Sequence, residues 1–363
     1  MNVLFISQFL NRAGTETFMM NVFRGVDKSR FHVDFLLFDE AETDYSREIE
    51  HSGGRVWRLI SRRRGKINYY LQLNRFFKVH AAEYQVVHWC GNSLTSIAPI
   101  YYAWKYKVPI RILHSHNSSA YGLHNRLLHI VFRRLATCLS THHLACSSAA
   151  AKWFFGNRKD SVIVKNGIDL TLYRFSPVSR KKIRQELGIA ETTFVIGHIG
   201  SFSAIKNHEF LLDIFAQVLT TRPDSRLMLI GKGELEQHIR EKAQQLDLAS
   251  RILFLGECQN VHELLQAMDC FVMPSLFEGQ PFVLVEAQAA GLSCFVSDSI
   301  NKDIGLIKDI HFLPLSESAN SWAEAITGKG TEFSHTDTTS ELKNAGYDLA
   351  DSIQQLQTIY QQK

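Results

Sequence analysis

Cys270-Phe271-Val272-Met273-Pro274-Ser275-Leu276-Phe277-Glu278-Gly279-Gln280-Pro281-Phe282-Val283-Leu284-Val285-Glu286-Ala287-Gln288-Ala289-Ala290-Gly291 is the stretch whose reading decides the fold. Cys270–Met273 is apolar without alternation, which predicts a strand covered on both faces. The turn Glu278-Gly279-Gln280-Pro281 then leads into an apolar segment that carries Glu286 and reads as a helix. A second apolar run, Cys294–Ser297, follows.

The same rhythm extends in both directions. Short runs rich in Val, Ile, Leu and Phe occur at Val3–Ile6, Val33–Phe38, Val86–His88, Ile110–His114, Leu144–Cys146 and Val162–Val164. After a break at Phe175–Pro177 they resume at Phe194–Ile199, Leu227–Ile230, Ile252–Leu255, Cys270–Met273 and Cys294–Ser297. Apolar strands spaced by helical patterns predict α/β architecture, with two doubly wound parallel sheets and a boundary near residue 172. The expected division is 1–171, 172–345 and a last helix within 346–363, patterned by Leu349, Ile353, Leu356, Ile359 and Tyr360. The polar stretch 329–343 reads as a loose connector. Gly14-Thr15-Glu16 and Asn207 each open a helix just after a strand, where amide groups face anions in this architecture.

Composition bounds the function. The 363 residues suit two domains, and 45% hydrophobic with 21% charged residues describes an ordinary globular chain. Val3-Leu4-Phe5-Ile6 lacks a basic flank and reads as a strand, not a signal peptide. No run reaches the roughly 18 apolar residues of a membrane span. A soluble, cytoplasmic protein is expected. Cys90, Cys138, Cys146, Cys258, Cys270 and Cys294 show no CxxC pair and read as buried thiols of a reducing compartment. Charge is uneven: residues 1–170 hold 23 Lys/Arg against 12 Asp/Glu, and the remainder 17 against 24. Between 51 and 152 there are 15 basic residues and one acid, Glu83. Such a first domain suits a polyanion, either anionic lipid or nucleic acid.

The chemistry-bearing residues cluster at strand ends. Free N–H groups at the helix start after Pro281 can receive a diphosphate, while Glu278 and Glu286 can accept hydrogen bonds from hydroxyls. That combination fits a sugar nucleotide. The alternative is a turn-capping Glu278 and a solvated helix face at Glu286. Lys206 is the candidate cation for a departing diphosphate, set against a lysine in an exposed turn. Gly14 would let backbone approach the same group, set against a glycine that merely shapes a turn. Gly231 and Gly233 follow a strand, and His116 ends one, with a structural histidine as its alternative. No Asp-x-Asp follows a strand and no Cys/His cluster has ligand spacing, so no metal or other cofactor is expected. No G-x-x-x-x-G-K-[ST] loop is present, and no G-x-G-x-x-G follows the first strand.

In these residues the chain resembles glycosyltransferase family 4, of the GT-B fold, in the branch that builds bacterial capsular and exopolysaccharides. The resemblance rests on Ala13-Gly14-Thr15-Glu16, His114-Ser115-His116-Asn117, Asn166-Gly167-Ile168-Asp169 and Gly200-Ser201-Phe202-Ser203-Ala204-Ile205-Lys206-Asn207. It continues through Leu229-Ile230-Gly231-Lys232-Gly233, the E-x7-E pair Glu278 and Glu286, and Gly346-Tyr347-Asp348. It implies two facing Rossmann-like domains, the donor mainly on the second, the acceptor on the first, and the last helix crossing back. It implies a retaining transfer from a nucleotide diphosphate, UDP by family habit, to a carbohydrate or lipid-linked saccharide. Glu278 would contact the donor sugar, Glu286 the ribose, and His116 the reacting side. His116, Glu278 and Lys206 are thus the implied catalytic set. Gly14, Ser201, Lys206, Gly231, Gly279, Gln280, Pro281, Phe282 and Glu286 are the implied donor-binding set. Ser201 stands where the family usually has an Arg, which removes one charge from the phosphate site. The basic first domain then implies peripheral binding to anionic membrane at its inner face, through Arg62-Arg63-Arg64, Lys66, Lys105, Lys107, Arg126, Arg133 and Arg134. The other readings are a nucleotide-sugar epimerase of similar fold and a basic nucleic-acid-binding protein; the latter lacks any binding signature, so no nucleic-acid partner is expected.

Overall fold

The computed structural model describes residues 1–11, 14–91, 93–117, 123–328 and 335–362. It contains two compact units, Met1–Gly167 with Leu349–Lys363, and Ile168–Asp348.

The first unit is built on β1 (Asn2–Ser7), β2 (His32–Leu37), β3 (Val56–Arg58), β4 (Val86–Gly91), β5 (Ile110–Ser115), β6 (His142–Ala145) and β7 (Ser161–Ile163). These pair in parallel in the order β3-β2-β1-β4-β5-β6-β7. Val3, Leu4, Phe5 and Ile6 are fully buried, as expected of a strand covered by helices on both faces. The strand order reverses between β1 and β4, and in open parallel sheets such a switch point leaves a crevice beyond the strand C-termini. Ser7, Cys90 and Gly91 lie at that crevice.

The last helix, Leu349–Gln361, belongs to this unit and buries Ile353, Leu356, Ile359 and Tyr360. Ile353 Cδ1 sits 2.2 Å from where a Cβ on Gly25 would be, so the Ile353 side chain occupies the space that this glycine leaves. The chain leaves the unit at Gly167, a few residues before the expected boundary. Ile168 already pairs with Asp348 and donates to the Tyr347 carbonyl, which ties it to the second unit.

In the second unit β8 (Phe194–Ile199), β9 (Ser225–Ile230), β10 (Ile252–Gly256), β11 (Cys270–Met273), β12 (Ser293–Ser297) and β13 (Ile310–Leu313) form a parallel sheet ordered β10-β9-β8-β11-β12-β13. Its switch point lies between β8 and β11. Arg184, fully buried, donates to Asp269 Oδ2 at 2.8 Å and to the carbonyls of Ala190, Glu191, Thr193 and Ala267. It thereby fastens the helix Pro177–Glu186 beneath the strands.

Two sequence expectations are corrected. Residues 335–338, expected in a loose connector, are pinned: the His335 ring stacks on Phe175, its nitrogens meet the Ala290 and Met268 carbonyls, and Thr338 Oγ1 donates to the Gln288 carbonyl. A short helix, Thr339–Asn344, follows. Of the cysteines, all of them free thiols, Cys138 is exposed and Cys258 half-buried, so only four are buried as expected. Among the described residues, no helix is long and apolar enough to cross a membrane.

Candidate active site

Three loops meet at the switch point of the second unit. The loop after β9 packs on the loop after β8: Gly231 has φ +142°, and a Cβ there would lie 2.1 Å from the Gly200 carbonyl oxygen. Any larger residue would force these loops apart. Gly233 lies as close to Phe202, whose amide donates to the Lys232 carbonyl. The loop after β8 is next tied to the one after β11. Asn207, left-handed at φ 55°, donates from Nδ2 to the Pro274 carbonyl at 3.1 Å, and the Leu276 amide donates to the Ile205 carbonyl at 2.8 Å.

This stitching places Lys206 Nζ 2.6 Å from Glu278 Oε1. Their side chains are only 17% and 13% exposed. In the ligand-free protein the charge of Lys206, the candidate phosphate cation, is matched by Glu278, a pairing that the sequence did not reveal. The exposed-turn and turn-capping alternatives fail, because both side chains are largely enclosed. Ser201 is exposed, its Oγ 3.3 Å from that of Ser203, and supplies no charge.

Beyond Gly279 and Gln280 the chain enters the helix Phe282–Ala289 at Pro281, without a side-chain cap. The first-turn amides of Phe282 and Val283 thus have no intrahelical partner. Glu286 is 9% exposed, so it is not a solvated face. Burial pushes its carboxyl up to about 7, opposed by the Tyr173 hydroxyl, which donates to Oε1 at 2.8 Å. Gln280 Nε2 donates to the Tyr347 hydroxyl at 2.9 Å, leaving Gln280 Oε1 a buried acceptor without a partner among the described residues. Tyr173 lies in no quoted motif and was not legible as a site residue; Tyr347 lies in the quoted Gly346-Tyr347-Asp348, but its contact with Gln280 was not.

In the first unit, His116 follows β5 directly. Its ring packs between His114 and Phe18, with centroids 4.1 and 4.7 Å away. Both ring nitrogens are buried, with the Asn166 side chain as their polar neighbour. Burial pushes the imidazole down to about 3, with the Asn166 amide opposing, so it is neutral at physiological pH. Gly14 begins the helix Gly14–Gly25; its neighbour Ala13 lies outside the described residues. At the switch point a cavity of about 390 Å3 is lined by Glu16, Trp89, Tyr69, Phe38, Asn125 and Arg63, among others. Glu16 is 7% exposed, and burial raises its carboxyl above the ordinary range.

Among the described residues, one trio brings possible metal donors together: His88, Cys90 and His114, within 4.8 Å. It spans two strands, with Cys90 in register with His114, so spacing along the chain did not reveal it. His88 Nε2 lies 3.0 Å from His114 Nδ1, a hydrogen bond that engages the two nitrogens facing each other.

Two units of parallel sheet, each with its loops at a switch point, fit the two Rossmann-like domains of the GT-B fold class. Comparison with known proteins makes the class specific. The model of the glycosyl transferases group 1 family matches residues 179–327. The Bacillus subtilis (strain 168) protein EpsF, which carries the name of a glycosyltransferase, is 35% identical over 99% of this chain and 96% of its own. The chain belongs to the group 1 glycosyltransferases. An Escherichia coli galactosyltransferase, named for transfer from UDP-Gal to a GlcNAc-diphosphoundecaprenol, is 34% identical over 40% of this chain and 38% of its own. Among solved structures, Anabaena HepE in complex with UDP superposes with a TM-score of 0.78, at 20% identity and 99% coverage of both chains. The alternatives of an epimerase and a nucleic-acid-binding protein are not favoured.

Proposed function

We propose that the chain is a metal-independent, retaining family 4 glycosyltransferase that moves a sugar from UDP to a saccharide acceptor in cell-surface polysaccharide synthesis. The observation that carries this reading is the enclosed Lys206–Glu278 pair beside an uncapped helix start and a buried Glu286. A diphosphate would draw Lys206 from Glu278 and take the amides of Phe282 and Val283, so the charge developing on the leaving group is met by fixed dipoles and one cation. Glu278, once released, accepts from a donor-sugar hydroxyl; Glu286 accepts from the ribose. Gln280 Oε1 supplies a further acceptor. Neutral His116 serves as a hydrogen-bond donor to the sugar's reacting side, and the acceptor hydroxyl yields its proton to the departing phosphate oxygen. HepE and the galactosyltransferase, both tied to UDP by name, support the choice of nucleotide.

The first-unit cavity suits the acceptor: Trp89 and Tyr69 offer ring faces to a sugar, and Glu16 and Asn125 offer polar atoms to its hydroxyls. Thermal stabilisation across UDP- and GDP-sugars tests the donor. A ligand at 100 times its Kd adds about 2.7 kcal/mol, and stabilisation by GDP-sugars alone would overturn the UDP assignment. Sugar transfer is expected to survive EDTA unchanged, and a complete loss restored by Mn2+ or Mg2+ would contradict the protein-only phosphate site.

Lipid-linked acceptors imply docking at an anionic bilayer on the cytoplasmic side, and the structure favours apolar insertion as part of it. On the helix Leu123–Leu139, Leu127, Ile130, Val131 and Leu135 are all exposed, so burial in a core does not account for them. The arginine loop is less free than its sequence suggests: Arg62 donates to the Thr95 carbonyl and Arg64 pairs with Glu40. Sedimentation with phosphatidylglycerol-rich vesicles should show salt-sensitive pelleting, at about 1 kcal/mol per basic residue near the surface. A combined Leu127→Ser, Ile130→Ser and Val131→Ser variant should pellet less than the parent, as should Arg62→Ala with Arg63→Ala and Arg64→Ala. Equal pelleting of parent and both variants would rule out this surface.

A further inference from the structure

Four aromatic side chains of the first unit form a continuous line from the last helix to the end of β5. The Tyr360 hydroxyl lies 2.8 Å from His88 Nδ1, and His88 Nε2 lies 3.0 Å from His114 Nδ1. The His114 ring in turn rests against His116, and Phe18 packs on both. Tyr360, His88 and His114 are fully buried.

The phenol at the buried end orders the protons that we assign along this line. A buried phenol that does not donate leaves an unsatisfied O–H, and the polar contact of this hydroxyl is His88 Nδ1. Burial holds the phenol protonated and both imidazoles neutral. Tyr360 therefore donates to His88 Nδ1, His88 carries its single proton on Nε2 and donates it to His114 Nδ1, and His114 is the Nε2–H tautomer. That last N–H is buried without a partner among the described residues.

We propose that Tyr360 is a positioning residue for His116: through His88 it fixes the ring plane and tautomer of His114, and the His114 ring sets the plane of His116. This rests on the reading that His116 meets the donor sugar. It gives the last helix a role in the reaction besides packing, because its hydroxyl anchors the chain of rings that ends at the reacting side.

The test uses the full-length protein. Tyr360→Phe should lower kcat about tenfold through misorientation, with donor KM within about twofold of the parent. Phe31→Leu is the packing control: it trims a ring 6.0 Å from that of Tyr360 and keeps the hydroxyl, so it should lower Tm but not kcat. On a His116→Ala background, Tyr360→Phe should lower kcat no further. Imidazole 15N spectra, assigned with single histidine variants, should show His114 as the Nε2–H tautomer in the parent and a tautomer mixture in Tyr360→Phe. Parent-like kcat in Tyr360→Phe, or a further loss on the His116→Ala background, overturns the proposal. A parent His114 protonated on Nδ1, or a stoichiometric bound metal, also overturns it while leaving the sugar-transfer reading intact.

Discussion

Glu278→Gln is expected to cut turnover about a hundredfold, the scale of removing one preorganised polar contact to a transition state, while UDP binds as tightly as to the parent or tighter. Lys206 Nζ and Glu278 Oε1 are 2.6 Å apart in the free protein, so a phosphate must compete with a carboxylate for the ammonium. A neutral amide competes less, and Lys206 is released to the diphosphate. The amide is a poorer acceptor for a donor-sugar hydroxyl, and that loss falls on the chemical step. Calorimetric titration of UDP together with single-turnover transfer separates the two effects. A variant that loses UDP affinity and keeps its turnover would show that Glu278 acts on the nucleotide, not the sugar.

Glu286→Ala should raise the Kd for UDP about 10- to 100-fold, since a hydrogen bond to a charged group contributes about 1.5–3 kcal/mol. The pH dependence is more specific. With the carboxyl raised by burial to about 7, UDP affinity should strengthen as pH rises from 5 to 8, because the carboxylate accepts from hydroxyls without a proton of its own to place. Glu286→Gln removes this titration, and comparison with it cancels the ionisation of the nucleotide phosphate. Stability of the free protein runs the other way. The unfolded carboxyl ionises near 4.5 and the folded one near 7, so its favourable contribution is full below 4.5 and is lost as pH rises through 7. The loss is on the order of 3 kcal/mol. Urea unfolding at pH 5 and pH 8 should show a smaller difference for Glu286→Gln than for the parent. An identical difference would mean that Glu286 is ionised throughout.

The buried strands were legible because burial on both faces leaves no alternation, as at Val3–Ile6 and Cys270–Met273. Two of the four edge strands were not: Val56-Trp57-Arg58 and Ile310-His311-Phe312-Leu313 are half-buried and carry no continuous apolar run. Residue types at the site were visible, because glycines, acids and a lysine stand at strand ends. Their partners were not. Lys206 meets Glu278 across 72 positions, Tyr173 meets Glu286 across 113, and His88 meets Tyr360 across 272. Such pairs are made by sheet order, which local patterning does not encode. For that reason the sequence showed Lys206 as a candidate cation but not the carboxylate that pairs with it.

The most direct test of the central claim is calorimetric titration of UDP into the parent and into Lys206→Ala. The account predicts binding to the parent, and an affinity at least about tenfold weaker in the variant through loss of the charge-assisted phosphate contact. Equal affinities, or no binding of UDP to the parent, would contradict it.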